Sequence, residues 1–262
     1  MTETTPLDAA FSEMVGNPED DTARLRYFGR LAETELFVLL KAEAKGDQIE
    51  PRIFETGGQS FVLSFDREDR LTAFAEGPAP YVAMSGRLVA RLLAENGLCL
   101  ALNPSTAPSE ILLPNEVMLW LTETLSLPQN VVEERPVNAR PPSGLPPVFV
   151  ESLGGKLALA QGFADRAVLV RAEYDSGRCD HLLAIIDAIP ESQESLVRAV
   201  NEALVFSGIE AGAVDVGFLR STDALVPRLE KVGLRFDLPA PEKSLKEPSA
   251  PGTDPTKPPI LR

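Results

Sequence analysis

The segment from Pro80 to Leu121 joins a helix, a buried strand and a second helix through punctuation that leaves few alternatives. Leu88, Leu92 and Leu93 recur at helical spacing and give one apolar face, and Gly97 supplies the stop. Leu98 to Leu102 is then a short apolar run, too brief for a helix, closed by the turn pair Asn103-Pro104. Ile111 to Leu113 and Pro114 introduce a further helix, Asn115 to about Leu125, which carries Val117, Leu121 and the only tryptophan, Trp120. Strand and helix periods alternating within so short a span predict an α+β fold.

The flanking sequence extends this pattern. Asn17-Pro18 followed by Glu19-Asp20-Asp21 predicts a helix start running to about Ala32, with Leu25, Phe28 and Leu31 inward. Glu35 to Lys41 predicts a buried strand, Ile53-Phe54 a brief pairing, and Ser60 to Phe65 a strand. The run Asp66 to Asp69 reads as a charged, solvated turn, with Leu71 to Ala75 returning as a hairpin partner. Pro128, Pro136, Pro141, Pro142, Pro146 and Pro147 interrupt any periodicity, so 128–147 reads as an extended connection between domains. Beyond it, Val168 to Tyr174 and Cys179 to Ala188 predict a hairpin, Glu191 to Ser207 an amphipathic helix, Val214 to Leu219 a strand, Thr222 to Val232 a helix and Leu234 to Leu238 a closing strand. The expectation is two small mixed domains, 1–127 and 148–238, each a short, mainly antiparallel sheet packed with helices, those of the second lying on one face. The proline-rich tail, 239–262, is expected to be disordered.

Charge narrows the partners. Lys and Arg total 25 against 39 for Asp and Glu, and the net charge of -14 repels phosphate backbones and anionic lipid, so neither nucleic acid nor membrane is expected. The acidic N-terminal stretch lacks the basic and apolar regions of an export signal, and the two cysteines fall in separate regions. Both point to a reducing, cytoplasmic setting.

Chemistry-bearing patterns are few. His181 is the only imidazole, and on a strand it shares a face with Cys179 while Asp180 points away, which leaves no third member to orient a triad. Two cysteines and one histidine supply no recognised zinc spacing. Gly57-Gly58 and Gly154-Gly155 read as turns: Gly154-Gly155-Lys156 is followed by Leu157, and Val150 stands where a phosphate-binding loop needs glycine. No catalytic residue, cofactor or metal is therefore assigned. The candidate interaction residues are Asn103 and Pro104 in the loop, and Trp120 on its helix. Tail prolines at PxxP spacing add a weaker polyproline signal.

Glu35 to Leu40, Ser60 to Ala75, Tyr81, Met84, Gly86, Leu98 to Pro104 and Leu113-Pro114 together resemble the N-terminal domain of the SseB family, named for enhanced serine sensitivity. The resemblance spans roughly Ala32 to Leu125. Val168 to Ala188, Glu191 to Ser207, Val214 to Val216 and Gly233 to Phe236 are similar to that family's C-terminal domain. The resemblance implies a bacterial protein, brings no catalytic residues with it and implies a link to serine sensitivity. The resulting expectation is a non-enzymatic, cytoplasmic protein-interaction or regulatory module with an unidentified protein partner. The alternatives are a small-metabolite sensor or enzyme acting on amino acids, and an acidic secretion-chaperone-like protein.

Overall fold

The computed structural model describes residues 4–44, 48–126, 134–209 and 213–238. The chain opens with a helix that the sequence reading passed over: α1, Pro6–Gly16, has Pro6 at its first turn and a reciprocal capping box between Thr5 and Asp8. Asn17 therefore closes α1 rather than opening the next helix, its backbone N–H donating to Glu13 O. Asp20 is the cap of α2, Asp21–Glu33, accepting from the Thr22 N–H.

Strand β1, Glu35–Leu39, lies between β4, Tyr81–Ser85, and β3, Gln59–Phe65, antiparallel to both. The other side of β3 pairs in parallel with β5, Cys99–Leu102, which pairs antiparallel with β6, Ile111–Leu113. Hairpin strand β2, Ile53–Thr56, reaches β3 through Gly57 and Gly58, both at positive φ as a tight two-residue turn demands. The run read as a charged turn is instead α3, Glu68–Phe74. Glu68 and Asp69 occupy its positive first turn, while Arg70 and Leu71 face inward, so no hairpin partner forms there. Helices α4, Gly86–Glu95, and α5, Asn115–Leu125, complete this half. A Cβ on Gly86 would meet Leu31 O at 1.9 Å, so this helix start requires glycine.

The second sheet has the order β10-β9-β8-β11, with β7 also pairing β8. Its strands are β7, Pro136–Arg140, β8, Arg166–Tyr174, β9, Cys179–Ile186, β10, Val214–Leu219, and β11, Leu234–Asp237. Only β9 and β10 run parallel. Strand β7 falls inside the stretch read as a connection, because a single proline at a strand's first position leaves the following N–H groups able to pair. The rest of that stretch ends in α6, Pro147–Leu159, while 127–133 and the tail 239–262 lie outside the described residues. Gly154 and Gly155, read as a turn, sit inside α6. Helix α7 spans Gln193–Val205 and the short α8 spans Val226–Glu230.

Both sheets are buried on two faces. In the first, Tyr27, Leu36, Val62, Leu100 and Met118 join the sheet to α2 and α5, and Leu39, Phe61, Phe65 and Leu71 close its other face beneath α3. In the second, Phe149, Leu153, Leu169, Ile185 and Val200 pack under α6 and α7, while Val168, Val170, Ile186, Val226 and Leu229 pack under α8. Helices thus cover both faces of this sheet rather than one, as its nearly unbroken apolar strands require. The helical layers of the two halves meet: α5 lies against α7, and Phe206, just after α7, enters the first core.

Candidate interaction groove

Three helices meet at the junction of the halves. Helix α6 buries Phe149, Leu153 and Leu157 toward its own sheet. Val148, Ser152, Gly155 and Leu159, at the same three- and four-residue spacing, turn to a neighbouring face. Opposite stand Ala9 and Ala10 of α1 and Gly29 of α2, and together they enclose a groove of about 610 Å³ with Phe206 in its lining. Gly29 is required by its neighbour, since a Cβ there would lie 2.9 Å from Phe206 Cγ. Leu159 is 75% exposed and also borders a second hollow of about 180 Å³, beside half-exposed Phe163.

A four-charge cluster crosses this junction. Lys156 Nζ lies 2.6 Å from Glu33 Oε1 and 2.6 Å from Glu202 Oε2. Arg87 grips Glu202 with both terminal nitrogens, at 2.9 and 3.1 Å. Burial pushes the Glu202 carboxyl upward, but the hydrogen bond from Arg87 and the nearby Lys156 charge outweigh it, so its pKa falls below the usual glutamate range. Lys156 thus lies between two carboxylates, Glu33 from the first half and Glu202 from the second, and ties the halves together. The remaining groove cations are matched as well, Arg26 with Glu13 and Arg30 with Glu33.

The residues singled out from sequence are dispersed. Asn103 is fully buried and its side chain is engaged within the fold: Asn103 Oδ1 accepts from the Asp66 N–H and Asn103 Nδ2 donates to Ser109 Oγ. Its φ of 50° explains the preference for asparagine at this turn. Pro104 is half-buried, and Trp120, 36% exposed, stacks edge-to-face on Phe28 at 5.1 Å, outside the groove. His181 Nε2 lies 3.0 Å from Ser143 O and Cys179 Sγ lies 4.0 Å from Gly177 O, so the two are engaged separately. Among the described residues no group of three or more His, Cys, Asp or Glu is placed to hold a metal ion.

Asp66, read as part of a solvated turn, and the neighbouring Arg70 form a buried cluster with Asp8. Arg70 Nη1 donates to Asp66 at 2.7 Å and to Asp8 at 3.1 Å, and Ser109 Oγ also donates to Asp8. Burial works against the Asp8 charge, but the hydrogen bonds from Arg70, Ser109 and the Thr5 N–H, with the Arg70 charge, hold its pKa at about 2.

This first half, from α1 through α5, coincides with a known domain: the family model for the SseB protein N-terminal domain matches residues 7–118. Residues 7–118 belong to the SseB family. No curated protein and no solved structure matches the chain. The SseB domain begins with α1, some 25 residues before the resemblance read from strand patterns, because the helix pair α1–α2 is part of its core. It contributes two of the three groove helices; α6, which carries Lys156 and Leu159, lies beyond it. Among the described residues no helix is long and apolar enough to cross a membrane.

Proposed function

We propose that the chain is a non-enzymatic, cytoplasmic protein-interaction or regulatory module that captures a basic amphipathic helix of a partner protein in the groove between α1, α2 and α6. The observation that carries this reading is Leu159, a large aliphatic side chain three-quarters exposed between two hollows. A groove walled by alanine, glycine and serine admits a helix at close approach, and Leu159 offers the apolar anchor that such a helix covers. The charge pattern selects the partner's sign. Arg26, Arg30 and Lys156 are each already matched to a carboxylate, whereas exposed Glu151 on the groove wall has no cationic partner among the described residues, in a chain of net charge -14. Lysine or arginine flanking an apolar stripe complements that rim.

The test uses a defined peptide of about 18 residues, with leucine at helical spacing and lysine elsewhere, added to the isotope-labelled full chain. Amide shifts concentrated on α1, α2 and α6, and an affinity reduced about tenfold or more by Leu159→Asp, are the expected results. Binding that ignores Leu159→Asp, shifts mapping elsewhere, or equal binding of a peptide with glutamate replacing lysine overturns the reading.

A further inference from the structure

The face of the second sheet that packs under α6 and α7 continues past its core. Leu169 and Leu183 are buried there as cross-strand partners. Two residues along each strand, on the same face, stand Arg171 and His181, which are partners in turn. On the other side of Arg171, β7 sets Arg140 in register with it. Arg140, Arg171 and His181 thus form one row across three strands, with neighbouring Cβ atoms about 5 Å apart, and both arginines are exposed.

Two guanidinium groups directly opposite each other on a sheet repel, and the surroundings do little to relieve them. Arg171 has no ion pair among the described residues, and Arg140 meets Glu173 at 3.8 Å, with both side chains exposed, a contact worth little in water. The arginines on either side are matched closely: Arg178 lies 2.9 Å from both Asp180 and Asp215, and Arg166 is held by Asp165 and Glu230. With 39 acidic residues against 25 basic ones, the chain has no shortage of carboxylates, yet this row is left without a close one. The loop after β7 borders the row. His181 Nε2 donates to Ser143 O at 3.0 Å, so within three residues of Arg140 the chain has crossed β8 to reach β9, which brings the exposed Ser143 hydroxyl to the row.

We propose that this row binds a small phosphate monoester. Its three free oxygens suit two guanidinium forks and a hydroxyl, whereas the two oxygens of a carboxylate fill a single fork. Arg171, central and unpaired, supplies the principal contact, and Arg140 exchanges its loose contact with Glu173 for a phosphoryl oxygen. The net charge of -14 opposes the approach of an extended polyanion, so the row suits one phosphoryl group and not a phosphate backbone.

The experiment titrates the labelled full chain, at about pH 7.5 where the ester is a dianion, with a phosphoserine tripeptide that has glycine on either side and capped ends, and separately with inorganic phosphate. Saturable shifts confined to the amides of 138–144, 171–173 and 179–181 are expected, with a dissociation constant on the order of 1 mM. Arg171→Gln weakens binding about tenfold or more, and Arg140→Gln weakens it as well. Both side chains are exposed, so the rest of each variant's spectrum stays in place. Arg52→Gln, which removes an exposed arginine from the first half, leaves the affinity unchanged. Tighter binding of the tripeptide than of inorganic phosphate supports the row as a site for a phosphorylated side chain of a partner, and equal binding supports it as a site for a free phosphate compound. Failure to saturate, unchanged affinity in Arg171→Gln, an equal loss in Arg52→Gln, or acetate binding as tightly as phosphate overturns the proposal. The row shares no residue with the helical groove, so none of these outcomes bears on that reading.

Discussion

Asp8 shows how one side chain fastens a helix. It caps α1 through the Thr5 N–H, receives Arg70 from α3 and Ser109 from the loop after β5, and is 2% exposed. Because its folded pKa of about 2 lies below the ordinary 3.8, the contribution of this carboxylate is fully present above that ordinary value and is lost as pH falls through 2. The difference corresponds to about 2 kcal/mol. Asp8→Asn also leaves Arg70 short of one counter-charge, so at pH 7 the variant is expected to be less stable by about 3 kcal/mol. The gap between wild type and variant narrows below pH 4, as protonation removes from the wild type what the substitution has already removed. Urea denaturation at pH 7 and pH 3 checks this; an equal gap at both would show that the charge of Asp8 contributes nothing. Spacing alone gave no warning of this cluster, since Asp66 to Arg70 has the composition of a solvated turn, and only the fold brings Asp8 and Ser109 to it.

At the scale of elements, what was legible followed the strength of the periodic signal. The strands β1, β3, β5, β8, β9 and β10 and the helices α4, α5 and α7 were all readable, because apolar runs and helical stripes there agree with their capping and turn residues. Helix α1 carried its own signature in Thr5, Pro6 and Asp8, which a search for capping boxes would have found. Helix α6 was the harder case, because a glycine pair argues against a helix interior. Tertiary contacts explain it: Gly154 lies under Phe236, 3.6 Å from where a Cβ would be, and Gly155 opens onto the groove. Nothing lies within 4 Å of a Cβ built on Gly155, so Gly155→Ala is expected to raise stability by about 0.5–1 kcal/mol through helix propensity. Gly155→Leu keeps the helix but fills the groove, and should weaken the basic peptide about tenfold or more. Thermal unfolding and peptide titration on the same two variants separate the roles. A Gly155→Leu chain that binds as wild type would show that the groove is not the docking site.

The whole molecule has two hydrophobic centres, and what joins them is narrow. Each sheet is closed on both faces by its own helices, and Phe206 is the one buried residue of the second half that belongs to the first core. Across the junction, Phe206 leaves α7 and enters the first core against Gly29, while Lys156 and Arg87 hold Glu202 and Glu33 together. Phe206 is 4% exposed and apolar, and the Lys156 and Glu202 pair is buried as well, at 8% and 6% side-chain exposure, so the aromatic ring and the ion pair both hold the two helical layers together. Truncating Phe206 to alanine costs about 3–5 kcal/mol of buried contact, and nearly all of it falls on the attachment rather than on either core. Scanning calorimetry should therefore show the wild-type chain unfolding in one transition and Phe206→Ala in two, the halves melting independently. The groove is formed jointly by α1 and α2 of one half and α6 of the other, so the same substitution should weaken peptide binding with both cores intact. A single transition in Phe206→Ala, shifted but undivided, would mean that the halves are coupled through the Lys156 and Glu202 cluster instead.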